Sequence, residues 1–120
     1  MSTNQVQAGN VISFTTAGAV AAGAVVPLQH AIGIALTSAS GAGQVISVAI
    51  EGVFTVPKVS AAVWAAGEKL LWDASAAAFD DSAATPATGD LMGAAIAIAA
   101  GANGETTAQV KLTPGNATRT

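Results

Sequence analysis

Apolar and polar residues alternate with a period of two along most of this 120-residue chain, the pattern of a strand with one face buried. In NVISFTT, Ile12 and Phe14 share one side while Ser13 and Thr15 take the other. HAIGIALT sets Ile32, Ile34 and Leu36 against Ala31, Gly33 and Ala35. QVISVAIEGVFTVP aligns Ile46, Val48 and Ile50, then Phe54 and Val56 after Gly52, which marks a bulge or bend within a long strand. Beyond Gly67, Leu70 and Trp72 fall on one face and Lys69, Leu71 and Asp73 on the other. Asp73 opens a turn that returns through Phe79.

Towards the C-terminus, Asn103-Gly104 predicts a type I′ hairpin turn, because both central positions of that turn need positive φ. Ile96 and Ile98 would share a face across the turn from Val110 and Leu112, with Gln109, Lys111 and Thr113 outward. Gly41 and Gly43 supply a further turn, and Pro27, Pro57 and Pro86 punctuate strand edges or loops. Many short strands between glycine-rich turns predict an all-β fold, a small β-sandwich or barrel-like domain. One short helix is expected near residues 60–66, with Ser60 as N-cap and Gly67 as the stop. The organisation expected is a single domain over 1–120, with a flexible N-terminal arm over 1–7 and a C-terminal tail over 114–120.

Composition thins the expected core. Apolar residues make up 52% of the chain, but 30 of them are alanines, and the large aromatics are two Trp and three Phe. Burial against other subunits would supplement so light an interior. Charged residues are 9% and the net charge is −3, against about 25% charged residues in a typical soluble domain. No basic stripe is available for phosphates, so no nucleic-acid partner is expected. Weak surface charge suits a protein packed into an assembly. With no cysteine, disulfides and thiolate metal sites are excluded. AGAVAAGAVVPL and GAAIAIAAGA are too short to span a bilayer as helices, which takes about 18 apolar residues, so no membrane partner is expected. MSTNQVQAGN has neither the basic region nor the apolar run of a signal peptide, and a soluble product made in the cytoplasm is the expectation.

Candidate chemistry is sparse. His30 is the one histidine and has no identifiable partners for a triad or a metal site. Asp80-Asp81, followed by Ser82, reads as a solvated turn rather than an acid–base pair. Gly67-Glu68-Lys69 fails as a phosphate loop, because Glu68 precedes the lysine and Leu70 follows it where Ser or Thr is required. An EF-hand is excluded for want of alternating oxygen ligands, and Asn116-Ala117-Thr118 is a sequon by chance. No catalytic residue, cofactor site or metal set emerges. Trp64 and Trp72 read first as core anchors and second as a contact surface.

The order of NQVQAGNVISFT, GIALTSASGAGQVISVAIEGVFTVPK, WAAGEKLLWD, LMGAAIAIAA and AQVKL resembles the capsid cement, or decoration, proteins of tailed phages. The motif residues that carry the resemblance are Glu51, Gly52, Phe54, Pro57, Lys58, Gly67, Trp72, Asp73 and Gly93. The chain departs after Asp73, where relatives often carry a glycine and this sequence has Ser75-Ala76-Ala77-Ala78. The resemblance implies a small β protein on the outer capsid surface of a virion, bridging neighbouring major capsid protein subunits. Its expected partners are the major capsid protein and itself, as a homo-oligomer, a trimer rather than a dimer. Candidate interface residues are Ser2, Thr3, Asn4 and Gln5 of the arm, together with Trp64. The alternative is a carbohydrate- or receptor-binding β module on the virion, which needs an exposed platform of Trp64 and Trp72. A small enzyme would need a polar cluster that one His and seven dispersed acids do not supply.

Overall fold

The alternating stretches become strands of two antiparallel sheets. A computed structural model describes residues 9–120, so Ser2, Thr3, Asn4 and Gln5 lie outside the described residues. One sheet takes β1 (Val11–Thr15), β2 (Val25–Pro27), β3 (Ile32–Ala35) and β4 (Val45–Ala49) in the order β1-β4-β3-β2. The other takes β5 (Val53–Pro57), β6 (Lys69–Asp73), β7 (Ala78–Asp80), β8 (Leu91–Ala97) and β9 (Thr107–Leu112) in the order β5-β9-β8-β6-β7, with β10 (Thr118–Arg119) also on β8.

The long run from Val45 to Pro57 serves both sheets. Gly52, with φ 123°, stands between β4 and β5, so the expected bend is the point where the chain changes sheet. Ile46 and Val48 join a smaller cluster with Val26, Ala35 and Ala39, against which Ile12, Phe14 and Val20 pack. Phe54 and Val56, past the bend, belong to the main cluster. β3 is buried on both faces: Ile32 and Ile34 enter the main cluster while Ala35 enters the smaller one. Two thin cores thus share one strand.

The larger sheet curls towards closure. Beyond Pro57, Lys58 forms a parallel bridge with Phe79 of β7, and the Val59 N–H donates to the Phe79 carbonyl at 2.9 Å. β5 therefore meets β7, the far strand of its own sheet, giving the barrel-like form. Inside lie Leu70, Trp72, Phe79, Leu91, Val110 and Leu112 with the β3 isoleucines.

Four local expectations give way to non-local bonds. Residues 60–66 form no helix: Ala61 sits in a turn, and Trp64 pairs with Gly101 as an isolated bridge. The carbonyls of Val59, Ser60 and Ala62 accept from the Lys58 ammonium, and the one local bond there, Ala62 N–H to Val59 O, closes a single turn. The Asn103-Gly104 turn is present, but only Gly104 (φ 98°) has positive φ, so it is not type I′. It tips a long connection, held by the Gly104 N–H donating to Ser60 O, rather than a two-residue hairpin loop. On β8 the inward residues are Ala95 and Ala97, while Ile98 is exposed and Ile96 sits opposite Lys111. The interior there already holds two indoles and Phe79, and takes methyl groups from β8. At the C-terminus, the stretch expected to be a tail pairs as β10 with Leu91 and Met92, and the Thr120 N–H donates to Asp90 O at 3.0 Å.

Candidate functional site

Four of the nine motif residues, Lys58, Trp72, Asp73 and Gly93, fall at two places, and each has an architectural explanation. The first is Lys58, only 4% exposed. A buried ammonium must be paired or hydrogen-bonded to offset its lost hydration. Its Nζ has carbonyl partners alone: Ala62 O at 2.5 Å, Ala102 O at 2.9 Å and Val59 O at 3.0 Å, with Ser60 O and Glu105 O at 3.5 Å. It also lies 5.1 Å from the centroid of the Trp64 ring, within cation–π reach. One side chain thereby ties the loop after β5 to the loop between β8 and β9. Trp64 is held there by backbone bonds with Gly101 in both directions and by Nε1–H donating to Ala99 O at 3.2 Å. Gly101 is required, since a Cβ there would lie 2.6 Å from the indole.

The second place runs from β6 to β8. Trp72 and Phe79 pack edge to face with centroids 5.1 Å apart, and the buried Trp72 Nε1 has no partner among the described residues. Asp73 Oδ1 accepts from the Ser75 hydroxyl, the Ser75 N–H and the Ala76 N–H. These bonds, led by that hydroxyl, hold its carboxyl below the usual range. The turn it opens places Ala77 at φ 51°, a conformation glycine adopts at less cost. That is where the chain departs from the glycine expected of relatives. Asp90, buried beside this turn, accepts from the Ala74 and Ala87 N–H groups. Gly93 sits in the register shift where β8 carries two extra residues opposite Leu70 and Leu71. With φ 90° and Asn116 O only 2.8 Å from an added Cβ, that position admits glycine alone.

The remaining motif residues mark the frame. Glu51 and Gly52 are exposed at the sheet crossing, Phe54 is half-buried against the main cluster and Pro57 ends β5. Gly67, with φ 85°, turns the chain into β6. Beside it, Glu68 accepts from the Ser82 N–H, the Ser82 hydroxyl and the Ala65 N–H. The Ser82 N–H leads in lowering its pKa.

Among the residues considered for catalysis, His30 is exposed in a bend and Asp80 and Asp81 bond within their own turn. Among the described residues no group of three His, Cys, Asp or Glu side chains could hold a metal. A shallow groove of about 250 Å³ beside β5 and β9 is lined by Thr55, Ala99, Glu105, Thr107 and Gln109. Both tryptophans are 4% exposed, so neither offers a surface in this chain and no platform of Trp64 and Trp72 exists. No helix is long and apolar enough to cross a membrane among the described residues.

What periodicity did not reveal is the partition of charge. Residues 1–50 contain no Asp, Glu, Lys or Arg, and the four cations and seven acids all lie from Glu51 onward. Every strand of the first sheet is therefore uncharged, and every charged side chain lies in the part of the chain that forms the second. A count of charges along the chain, rather than over its whole length, would have found this.

The family profile described as phage cement protein matches residues 6–112, a stretch covering both sheets except β10. No curated protein and no solved structure matches the chain.

Proposed function

The chain belongs to the phage cement protein family, a structural, capsid-associated component of the virion, and from that premise we propose that it binds the outer surface of a phage head and cements neighbouring major capsid subunits. The observation that carries this reading is the extent of the match, residues 6–112. Within it, the residues with the most chemistry to offer are engaged internally: Lys58 by carbonyls, Trp64 and Trp72 by the core, Asp73 by its turn. In this reading the chain works as a rigid body that presents surfaces, with no bond made or broken. It acts as a homo-oligomer, a trimer at a three-fold position rather than a dimer at a two-fold one, and many modest contacts add up through avidity. Cryo-electron microscopy of heads with and without the protein tests this. Density outside the shell, at junctions between major capsid subunits, is the expected result. Density only inside the shell, or none, refutes it. A carbohydrate-binding role has no support from the buried indoles.

A further inference from the structure

Each sheet has edges, and a protein that avoids random pairing blunts them with prolines, charges or very short strands. Three of the four strands that end the two hydrogen-bonded paths are blunted. β2 is three residues long and ends in Pro27, β7 is three residues long and runs into Asp80-Asp81, and β5 ends at Pro57 and bridges β7. β1 is the exception: five residues, Val-Ile-Ser-Phe-Thr, without proline or charge.

Its hydrogen bonds define which groups are available. The Ile50 N–H donates to Asn10 O and the Thr16 N–H to Gln44 O, so the even-numbered residues of β1 bond to β4 across the register Ile12↔Val48 and Phe14↔Ile46. By the alternation of an antiparallel ladder, Val11, Ser13 and Thr15 point their N–H and C=O groups away from β4. Among the described residues no segment pairs with that side. The face beside it continues through the partners Ser47 and Val45 to Leu36, whose N–H bonds Ser47 O. Ser13, Thr15 and Ser47 are exposed there, Val45 is 69% exposed and Leu36 47%. Edge and face lie in the half of the chain that has no charged residue.

We propose that the outer edge of β1, with its uncharged face, is the docking surface for an extended, uncharged segment of the capsid shell, which adds to the first sheet as a further strand. This rests on the cement reading above and assigns it a place on the molecule. A charged partner would lose hydration against this surface without gaining a counter-charge, which selects an uncharged one. A second copy of the chain fits less well. An edge about 17 Å long and about 10 Å thick presents roughly 170 Å², against about 800 Å² per partner in a stable dimer. On a shell that repeats the same segment many times, so small a contact suffices through avidity.

Ser13→Pro removes a backbone donor that faces away from β4, and so should leave the intramolecular ladder intact. Ser47→Lys places a charge on the exposed face. The test is cosedimentation of wild-type and variant protein with purified heads lacking this chain, beside a Gln109→Lys control on the other sheet, with thermal melts of each. The expected result is that both variants melt within a few degrees of wild type and bind heads at least about tenfold more weakly, the loss of about one hydrogen bond or more, while Gln109→Lys binds normally. Folded Ser13→Pro and Ser47→Lys proteins that bind like wild type overturn the edge while leaving the cement reading in place. If Ser13→Pro fails to fold, Ser47→Lys decides alone. Wild-type protein that ignores the heads removes the cement reading and the proposal with it. A wild-type oligomer that Ser13→Pro dissociates in the absence of heads gives the edge to a second copy, and overturns the proposal.

Discussion

Replacing Lys58 with methionine keeps an unbranched apolar stem, one atom shorter, and removes the charge and donors. An ammonium has three N–H groups, and the three shortest contacts, to Ala62, Ala102 and Val59, account for them. Hydrogen bonds to a charged group contribute about 1.5–3 kcal/mol each, which sums to a gross value well above the net worth, because burying the ammonium costs several kcal/mol. In many buried ion pairs, apolar replacement of both partners recovers that cost. Here the partners are backbone carbonyls that no side-chain substitution can remove, and those of Val59, Ser60 and Ala102 keep a backbone donor each, from the Ala62, Gly104 and Glu105 N–H groups. The carbonyl of buried Ala62 is the one that loses its donor. Loss of cation–π contact with Trp64 adds about 0.5–2 kcal/mol. One unsatisfied buried carbonyl and the lost cation–π contact together give an expected destabilisation of about 2–5 kcal/mol, of a total on the order of 5–15 kcal/mol. Urea unfolding followed by tryptophan fluorescence reads it, since Trp64 touches the cage directly. With a slope of about 1.5 kcal/mol/M, the midpoint should fall by about 1–3 M. A midpoint within about 0.5 M of wild type would refute the view that this ammonium holds the two loops together.

Other substitutions probe the turns and the bulge. Ala77→Gly relieves the left-handed alanine at φ 51°, worth about 1–2 kcal/mol, against about 0.5–1 kcal/mol of added unfolded-state entropy; a melting temperature higher by about 2–5 °C is expected by differential scanning calorimetry. Gly93→Ala must combine φ 90° with a Cβ 2.8 Å from Asn116 O, and should cost about 2–4 kcal/mol in chemical denaturation. The depressed carboxyls of Glu68 and Asp73 release their protons more readily in the folded chain than in the unfolded one. The stability they contribute is complete above about pH 5 and is lost as pH falls through the ordinary carboxylate range near 4 and below. Urea midpoints measured between pH 6 and pH 3 should therefore fall, and fall less in Glu68→Gln than in wild type.

Alternation was enough to identify most strands, because a half-buried strand writes its two faces directly into the sequence. It placed Ile12 and Phe14 together, Ile32 with Ile34, and Leu70 with Trp72, as the two clusters have them. It failed where a distant group captured local backbone. Ser60 and the alanines after it have the composition of a helix start, yet the carbonyls of Ser60 and Ala62 turn to Lys58. The ammonium also bonds Ala102, 44 residues away in sequence, and no local rule contains that contact. Reading the larger side chains as the inward ones misplaced Ile96 and Ile98, since the neighbouring space is set by indoles contributed from elsewhere in the chain. Lys58 was legible as part of a motif but not as a buried cation. The available hint was that it is the first charged residue after Glu51, between the apolar stretches VFTVP and AAVW.

The uncharged sheet also has a place in time. Its strands end at Ala49, so it leaves the ribosome before any strand that covers Ile32 and Ile34 has emerged. The strand that completes the second sheet is β10, at Thr118–Arg119. At about 5–20 residues per second, roughly 70 further residues take about 4–14 s to synthesise. For that interval the nascent chain presents an open, uncharged edge with no barrel behind it. Crowding of nascent chains during overexpression should therefore drive losses to inclusion bodies, and slower synthesis at reduced temperature gives each chain more distance from its neighbours before the barrel closes.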